Sequence, residues 1–196
     1  MEKFVVIGTG FIGKYMGKGM RKVLGTEDLQ GHAFGIKAHD TGVKEKEAEL
    51  GFAVSVKDTG TVLEREKPSI IIFSAPPEFA PDIVTGTLLP YYEQCRRENR
   101  PLPDLYSFIP SPSADWICTQ LGGDVNVVKI LPNILDVVCG YDLSPVGINY
   151  ISYAAHMWPE ERKDILIKCM SAYGYTVETD DTDSLVLLAG KITSHV

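Results

Sequence analysis

The glycine spacing near the amino terminus constrains the fold of this chain more than any other feature. Gly8, Gly10 and Gly13 have the spacing G-x-G-x-x-G and follow directly after the apolar run Phe4–Ile7. Such a short run is typical of a strand that is buried on both faces. Apolar residues then recur at every fourth position within Ile12–Leu24, which is helical periodicity. The sequence therefore predicts a strand, a glycine turn and a helix in immediate succession.

Each of these glycines has a separate task in a turn that binds a dinucleotide. Gly8 lets the chain leave the strand sharply, Gly10 lets a pyrophosphate approach the backbone, and Gly13 lets the helix pack close to the sheet. The first N–H groups of the helix have no partner within it, and its dipole is positive at this end, so an anion is stabilised there. The pattern predicts a dinucleotide site. The alternative is a glycine turn that serves tight packing alone.

An acidic residue downstream of the turn bears on the choice of cofactor. A second strand candidate, His32–His39, ends at Asp40, where dinucleotide folds use a carboxylate to bind the adenine ribose. Asp40 lies farther from the glycines than the usual distance of about 20 residues. Three nearby basic side chains can instead receive a 2′-phosphate: His39, Lys44 and Lys46. NAD and NADP are therefore both open, and a solvated turn residue is a third interpretation of Asp40.

Two loops that follow apolar strand candidates are further parts of the predicted site. Ser74, Ala75 and Pro76 follow one such strand, and Asn133 follows another. In open α/β sheets the carboxyl ends of the strands face the ligand crevice. Small residues and prolines at this edge suit a backbone that lies against a flat ring. Both loops are also compatible with plain turns.

Strand and helix candidates alternate along the whole chain. The later strand candidates are Phe52–Val56, Ser69–Ser74, Leu105–Ile109, Val125–Leu131, Gly147–Ala154 and Tyr175–Glu178. This alternation predicts an α/β fold of the Rossmann type, a doubly wound and mainly parallel sheet with extra strands at one edge. Residues 1–180 form the predicted dinucleotide-binding domain. Residues 181–196 are predicted to begin a C-terminal helical segment, which either packs on a partner chain or belongs to a longer protein that is truncated here.

Composition narrows the choice of partners and compartment. The net charge of −7 argues against binding to nucleic acid or to an anionic membrane surface. No apolar run approaches the roughly 20 residues that a membrane span needs. The chain enters a strand at once, so no signal peptide is predicted. Because the cysteines are far apart, we expect free thiols in a reducing, cytoplasmic compartment and no metal site. These cysteines are Cys95, Cys118, Cys139 and Cys169.

The ordered features resemble the N-terminal domain of the pyrroline-5-carboxylate reductase family and, more loosely, the deazaflavin-dependent NADP oxidoreductases. The matching pieces are FVVIGTGFIG, EKEAELGFAVSVKD, SIIIFSAPP, VVKILPN and the stretch from Trp158 to Glu178. The resemblance implies NAD(P)H binding and hydride transfer to the C=N bond of a small cyclic imine, with the chemistry supplied by the cofactor. It implies pyrophosphate contacts by Gly8, Gly10, Phe11, Ile12 and Gly13. It implies ribose or nicotinamide contacts near Ser74, Ala75, Pro76 and Asn133.

Three departures from the family pattern affect what the resemblance implies. Thr59 stands where the family often has Asn, and Phe108–Ser111 replaces a small Ala-Gly turn. The sequence ends at Val196, before the helical domain that completes the substrate pocket of the family and makes its dimer. Proline synthesis is therefore not assigned to this chain, and its catalytic residues stay unknown.

Three functional hypotheses follow from the sequence. The first is an NAD(P)-dependent oxidoreductase acting on a small imine or carbonyl compound, with a homodimer formed through residues 181–196. The second is a dinucleotide-binding module or regulatory subunit without catalysis of its own. The third is an interaction protein whose glycine turn is purely structural.

Overall fold

A seven-stranded sheet runs through the described part of the chain. The computed structural model describes residues 2–24, 33–34, 44, 47, 58–132, 147–155 and 158–180. The strands are β1 Phe4–Ile7, β2 Ala33–Phe34, β3 Ile70–Phe73, β4 Asp104–Ser107, β5 Val127–Leu131, β6 Ile148–Tyr153 and β7 Tyr175–Glu178. The predicted strand Phe52–Val56 and the predicted C-terminal segment 181–196 lie outside the described residues.

The spatial order of the strands is that of an open, doubly wound sheet. The order is β2-β1-β3-β4-β5-β6-β7. Neighbouring strands from β2 to β5 are parallel, β6 runs antiparallel to β5, and β7 is parallel to β6. The carboxyl ends of β1, β3, β4 and β5 therefore lie at one edge. The predicted Rossmann-type fold, mainly parallel and extended by further strands at one side, is confirmed.

Helices cover both faces of this sheet. They are α1 Phe11–Leu24, α2 Thr59–Glu66, α3 Ala80–Ile83, α4 Leu89–Arg97, α5 Ala114–Gln120 and α6 Glu160–Met170. A π-helical turn, Val84–Leu88, joins α3 to α4, and Pro90 lies in the first turn of α4. The sequence predicts that Pro90 breaks or restarts the helix. Proline lacks the N–H that would bond to the carbonyl oxygen four residues earlier, so the regular α-helical hydrogen bonding is interrupted at Pro90. The π-helical turn lies directly before this interruption.

Successive residues of the central strands pack into opposite layers, as the pleat of a strand requires. Val6 and Ile72 belong to the layer that contains α1 and α6, whereas Val5 and Ile71 belong to the layer that contains α2, α4 and α5. Every residue of β1 and β3 is buried. Burial on both faces explains why these strands read as continuous apolar runs in the sequence.

The hydroxyl group of Tyr173 fastens α1 to the 3₁₀ turn that follows α6. It donates to the carbonyl oxygen of Met16 at 2.6 Å and lies 2.9 Å from that of Tyr15. A Cβ added at Gly19 would overlap this hydroxyl group, so glycine is needed where the tyrosine enters the helix surface. Burial raises the pKa of Tyr173 well above its ordinary value. The tyrosine therefore stays neutral and acts as a fixed hydrogen-bond donor.

Tyr173→Phe is expected to lower the free energy of unfolding by about 1–2 kcal/mol, because the substitution removes a buried hydrogen bond and keeps the ring. Tyr175→Phe is the matched control, since the side chain of Tyr175 is 77% exposed, and we expect no measurable change. Urea unfolding of both variants measures the difference. Equal losses in the two variants would show that the hydroxyl of Tyr173 contributes nothing specific.

Candidate dinucleotide-binding site

The glycine turn connects β1 to α1 at the carboxyl edge of the sheet. Gly8 has φ +91°, in the region that favours glycine. Helix α1 begins at Phe11, and the amide of Lys14 donates to the carbonyl oxygen of Gly10 at 3.0 Å as the first bond of the helix. The strand, turn and helix thus follow one another in the predicted order. The first N–H groups of a helix have no partner within the helix, and those of α1 lie at this edge.

The three glycines of the turn differ in the space around them. A Cβ added at Gly8 would lie 2.6 Å from the carbonyl oxygen of Ser74, and one added at Gly13 would overlap the carbonyl oxygen of Gly8. These two glycines are therefore required by packing within the protein. A Cβ added at Gly10 would meet no described atom within 4 Å, and Gly10 is exposed. Of these three glycines, Gly10 is the one that is exposed and has open space beside its backbone among the described residues.

The loop after β3 packs directly against this turn. The hydroxyl of Ser74 donates to the carbonyl oxygen of Gly8 at 2.7 Å and lies 3.2 Å from that of Ile7. The amide of Ser74 also donates to the carbonyl oxygen of Ile7 at 2.9 Å. The structure therefore directs this hydroxyl toward the protein backbone, whereas the family resemblance implies ribose or nicotinamide contacts near Ser74.

The rest of this loop continues along the carboxyl edge. Ala75 is buried and Pro76 is exposed. The 3₁₀ turn Pro77–Phe79 follows, and the aromatic side chain of Phe79 is 51% exposed. The sequence did not predict this exposed aromatic ring at the carboxyl edge, because the exposure of a residue after a strand cannot be inferred from its neighbours in sequence.

The structure brings most of the predicted site residues together. The glycines, the backbone of Phe11 and half-buried Ile12 lie at the turn, and Ser74–Pro76 lies beside it. Asp40 and Asn133 lie outside the described residues. The roles of Asp40 in ribose binding and of Asn133 near the nicotinamide therefore stay predictions.

Two buried polar side chains lie in the same row of the sheet as the end of β1. Ile7 is paired with Phe73, Phe73 with Ser107, and Ser107 with Lys129. The side chains of Ser107 and Lys129 are 0% and 1% exposed, and Oγ of Ser107 has no hydrogen-bond partner among the described residues. The sequence VVKIL on its own predicts an ordinary buried strand. A lysine within an apolar run was the available signal that this row carries polar groups.

A cavity of about 330 Å³ lies at the opposite, amino-terminal edge of the sheet. Among its lining residues are Arg100, Asp104 and Arg162. Arg100 lies 3.2 Å from a carboxylate oxygen of Glu64, and Arg162 donates to Asp104 at 2.7 Å. These guanidinium groups are therefore already neutralised by carboxylates. The cavity is separate from the glycine turn and has no part in the candidate site.

The described ranges also bear on metal binding, thiol chemistry and membrane insertion. These ranges contain no cluster of three or more His, Cys, Asp or Glu side chains that could hold a metal ion. Cys95, Cys118 and Cys169 are buried free thiols, and Cys139 lies outside the described residues. Within the same ranges, every helix is too short or too polar to cross a membrane.

Solved structures that share this fold include two pyrroline carboxylate reductases. No protein-family model matches the chain, and no curated protein sequence matches it. A pyrroline-5-carboxylate reductase from Coxiella burnetii matches with a TM-score of 0.70 and 12% identity, over 99% of this chain and 66% of that one. The Plasmodium falciparum pyrroline carboxylate reductase with NADP bound matches with a TM-score of 0.70 and 14% identity, over 99% and 64%.

A second group of enzymes shares the fold. The prephenate dehydrogenase of Aquifex aeolicus, in complex with hydroxyphenyl propionate and NAD+, matches with a TM-score of 0.67 and 12% identity, over 100% of this chain and 69% of that one. The fold is therefore the one found in NAD(P)-dependent oxidoreductases, and the resemblance to pyrroline-5-carboxylate reductases is confirmed for the fold. The chain spans less than two thirds of the length of these reductases.

Proposed function

We propose that this chain binds a nicotinamide dinucleotide, with the pyrophosphate at the amino end of α1. The observation that carries the proposal is the space beside Gly10, where an added Cβ would meet no described atom within 4 Å, in a turn whose other two glycines are closely packed. Free helical N–H groups and the positive end of the dipole stabilise an anion at this position. The match to reductase and dehydrogenase structures solved with NADP and NAD+ supports the same interpretation.

The proposed reaction is hydride transfer between the nicotinamide and a small imine or carbonyl compound. The bound cofactor supplies the hydride, and the protein supplies its placement. Backbone groups from Gly8 to Gly13 hold the pyrophosphate, whereas Ser74–Pro76 and Asn133 border the ribose and nicotinamide. In this proposal the carboxylate of Asp40 binds the adenine ribose. Titration with both nucleotides decides between NAD and NADP. No catalytic side chain is assigned.

The second candidate function is a dinucleotide-binding module or regulatory subunit without catalysis of its own. The observation that favours it is that the described part of the candidate site offers exposed backbone at Gly10 and a Ser74 hydroxyl engaged by the turn, which is sufficient for binding alone. The first candidate, the oxidoreductase, is proposed to form a homodimer through residues 181–196 and to act in the cytoplasm.

Titration with NADH and NADPH tests the binding proposal, followed by energy transfer from Trp116 and Trp158 to the reduced nicotinamide. Saturable transfer with at least one nucleotide is expected, and its absence with both would overturn both candidate functions. Oxidation of the preferred nucleotide is then measured with pyrroline-5-carboxylate and related small imines and carbonyl compounds. Turnover supports the oxidoreductase, whereas binding without turnover supports the module.

A further inference from the structure

Ser74 joins three segments at the base of the glycine turn. Its hydroxyl donates to the carbonyl oxygen of Gly8 at 2.7 Å, and its amide donates to that of Ile7 at 2.9 Å. A Cβ added at Gly13 would lie 2.5 Å from Oγ of Ser74, so the first turn of α1 also packs on this side chain. The end of β1, the start of α1 and the loop after β3 therefore meet at one hydroxyl group.

The hydrogen bond to Gly8 fixes the orientation of one peptide group in the turn. In a planar trans peptide the C=O and the following N–H point in opposite directions. Because Ser74 holds the carbonyl of Gly8, the N–H of Thr9 must point away from Ser74. Gly8 has φ +91°, and glycine backbone can adopt several other conformations at little cost. A hydrogen bond from outside the turn is therefore what selects one of them.

We propose that Ser74 is a positioning residue for the cofactor, whose hydroxyl holds the Gly8–Thr9 peptide in the orientation that receives the pyrophosphate. This inference rests on the proposed dinucleotide binding. It gives Ser74 a role through the protein backbone, in place of a direct contact with ribose or nicotinamide. The side chain is half-buried and its proton is engaged by the turn, which suits a positioning role.

Ser69 is a matched control at the other end of the same strand. Its hydroxyl lies 3.1 Å from the carbonyl oxygen of Lys3 and 2.5 Å from a carboxylate oxygen of Glu2. Ser69 and Ser74 thus precede and follow β3, and both side chains hydrogen-bond to the chain of β1 or its immediate flank. Only Ser74 reaches the glycine turn, because Ser69 lies at the amino-terminal edge of the sheet.

The experiment compares Ser74→Ala, Ser74→Cys and Ser69→Ala by titration with whichever reduced nucleotide the wild-type protein binds. We expect Ser74→Ala to raise the Kd about five- to twentyfold, and Ser74→Cys to have an intermediate effect because a thiol is a weak donor. Ser69→Ala is expected to stay within twofold of wild type. Urea unfolding of all three variants reports their stability, and Ser74→Cys is the milder change in case Ser74→Ala lowers the folded fraction.

The outcomes separate this inference from the proposed function. If wild type binds and both alanine variants have the same affinity, Ser74 has no positioning role. The inference is equally overturned if affinity follows stability in all three variants, since that would make the hydroxyl an ordinary structural group. If wild type binds neither nucleotide, the proposed function itself fails. A graded loss of affinity at Ser74 that is absent at Ser69 supports the inference.

Discussion

Gly10→Val is expected to abolish dinucleotide binding and to leave the fold intact. The added side chain would occupy the open space beside the turn, where the pyrophosphate must approach the backbone. No described atom lies within 4 Å of the new Cβ, so the protein itself can accommodate it. We expect the Kd to rise at least about 100-fold, while the free energy of unfolding changes by no more than about 1 kcal/mol for the poorer helix cap.

Gly86→Val is the matched control for this substitution. Gly86 is exposed and lies in the π-helical turn between α3 and α4, and an added Cβ there would likewise meet no described atom within 4 Å. This variant is expected to bind the nucleotide as wild type does. The same fluorescence titration measures all three proteins, with urea unfolding alongside. Tight binding by a folded Gly10→Val variant would show that the pyrophosphate does not lie at this turn.

Gly13→Val is a less informative substitution, although the sequence alone predicts loss of binding at both positions. The new Cβ would overlap the carbonyl oxygen of Gly8, so the turn itself must distort. Lost binding would then have two causes that a titration cannot separate. The G-x-G-x-x-G pattern assigns separate tasks to these two glycines, but only the fold shows the contacts. An added Cβ at Gly13 would meet the carbonyl oxygen of Gly8 and Oγ of Ser74, whereas one at Gly10 would meet no described atom within 4 Å.

Local patterns were sufficient for the elements that begin or end on clear signals. Asp58 before the apolar residues Val62 and Leu63 predicts a helix cap, and its side chain accepts from the amide of Thr61 at 2.9 Å. Ser113 similarly accepts from the amide of Trp116 at 3.2 Å. The strand predicted at Tyr175–Glu178 has those bounds in the structure. Caps and buried strands depend on residues within a few positions, and the sequence therefore contains what determines them.

The bounds of β4 differ from those that the local sequence pattern predicts. The apolar run predicts a strand at Leu105–Ile109, whereas the observed strand is Asp104–Ser107. A buried aspartate does not look like a strand residue, since an isolated charge is costly to bury. Asp104 is tolerated because Asn126 donates to it at 2.8 Å and Arg162 at 2.7 Å. Both partners are distant in sequence, so no local pattern can predict the position of this carboxylate.

Arg162 holds this part of the protein together. Its guanidinium also donates to Glu2 at 2.8 Å, so α6 is joined to the segment before β1 and to the start of β4. The side chains of Arg162, Glu2 and Asp104 are 22%, 20% and 2% exposed. Removing one member of a largely buried ionic group leaves charges without partners, which costs far more than losing an exposed ion pair.

Arg162→Met is expected to lower the free energy of unfolding by about 3 kcal/mol at pH 7. Lys163→Met is the control on the same helix. Its ion pair with Glu160 is more exposed, with side chains 32% and 84% accessible, so we expect a change below about 0.5 kcal/mol. Urea unfolding measures both variants. Equal effects of the two substitutions would show that the buried ionic group contributes no more than a surface pair.

The pH dependence of the Arg162→Met defect tests its electrostatic origin. Burial raises the pKa of Asp104 above its ordinary value, despite hydrogen bonds from Asn126 and Arg162. Burial also acts to raise the pKa of Glu2, but hydrogen bonds from Arg162 and Ser69 bring it below the ordinary value. A carboxyl with a lowered pKa stabilises the fold above its unfolded pKa and loses this contribution as pH falls, whereas one with a raised pKa acts in the opposite direction. Without Arg162 both pKa values rise, so acid stabilises the variant relative to wild type. The difference in unfolding free energy should therefore shrink between pH 7 and pH 5, and a constant or growing difference would assign the defect to lost packing instead.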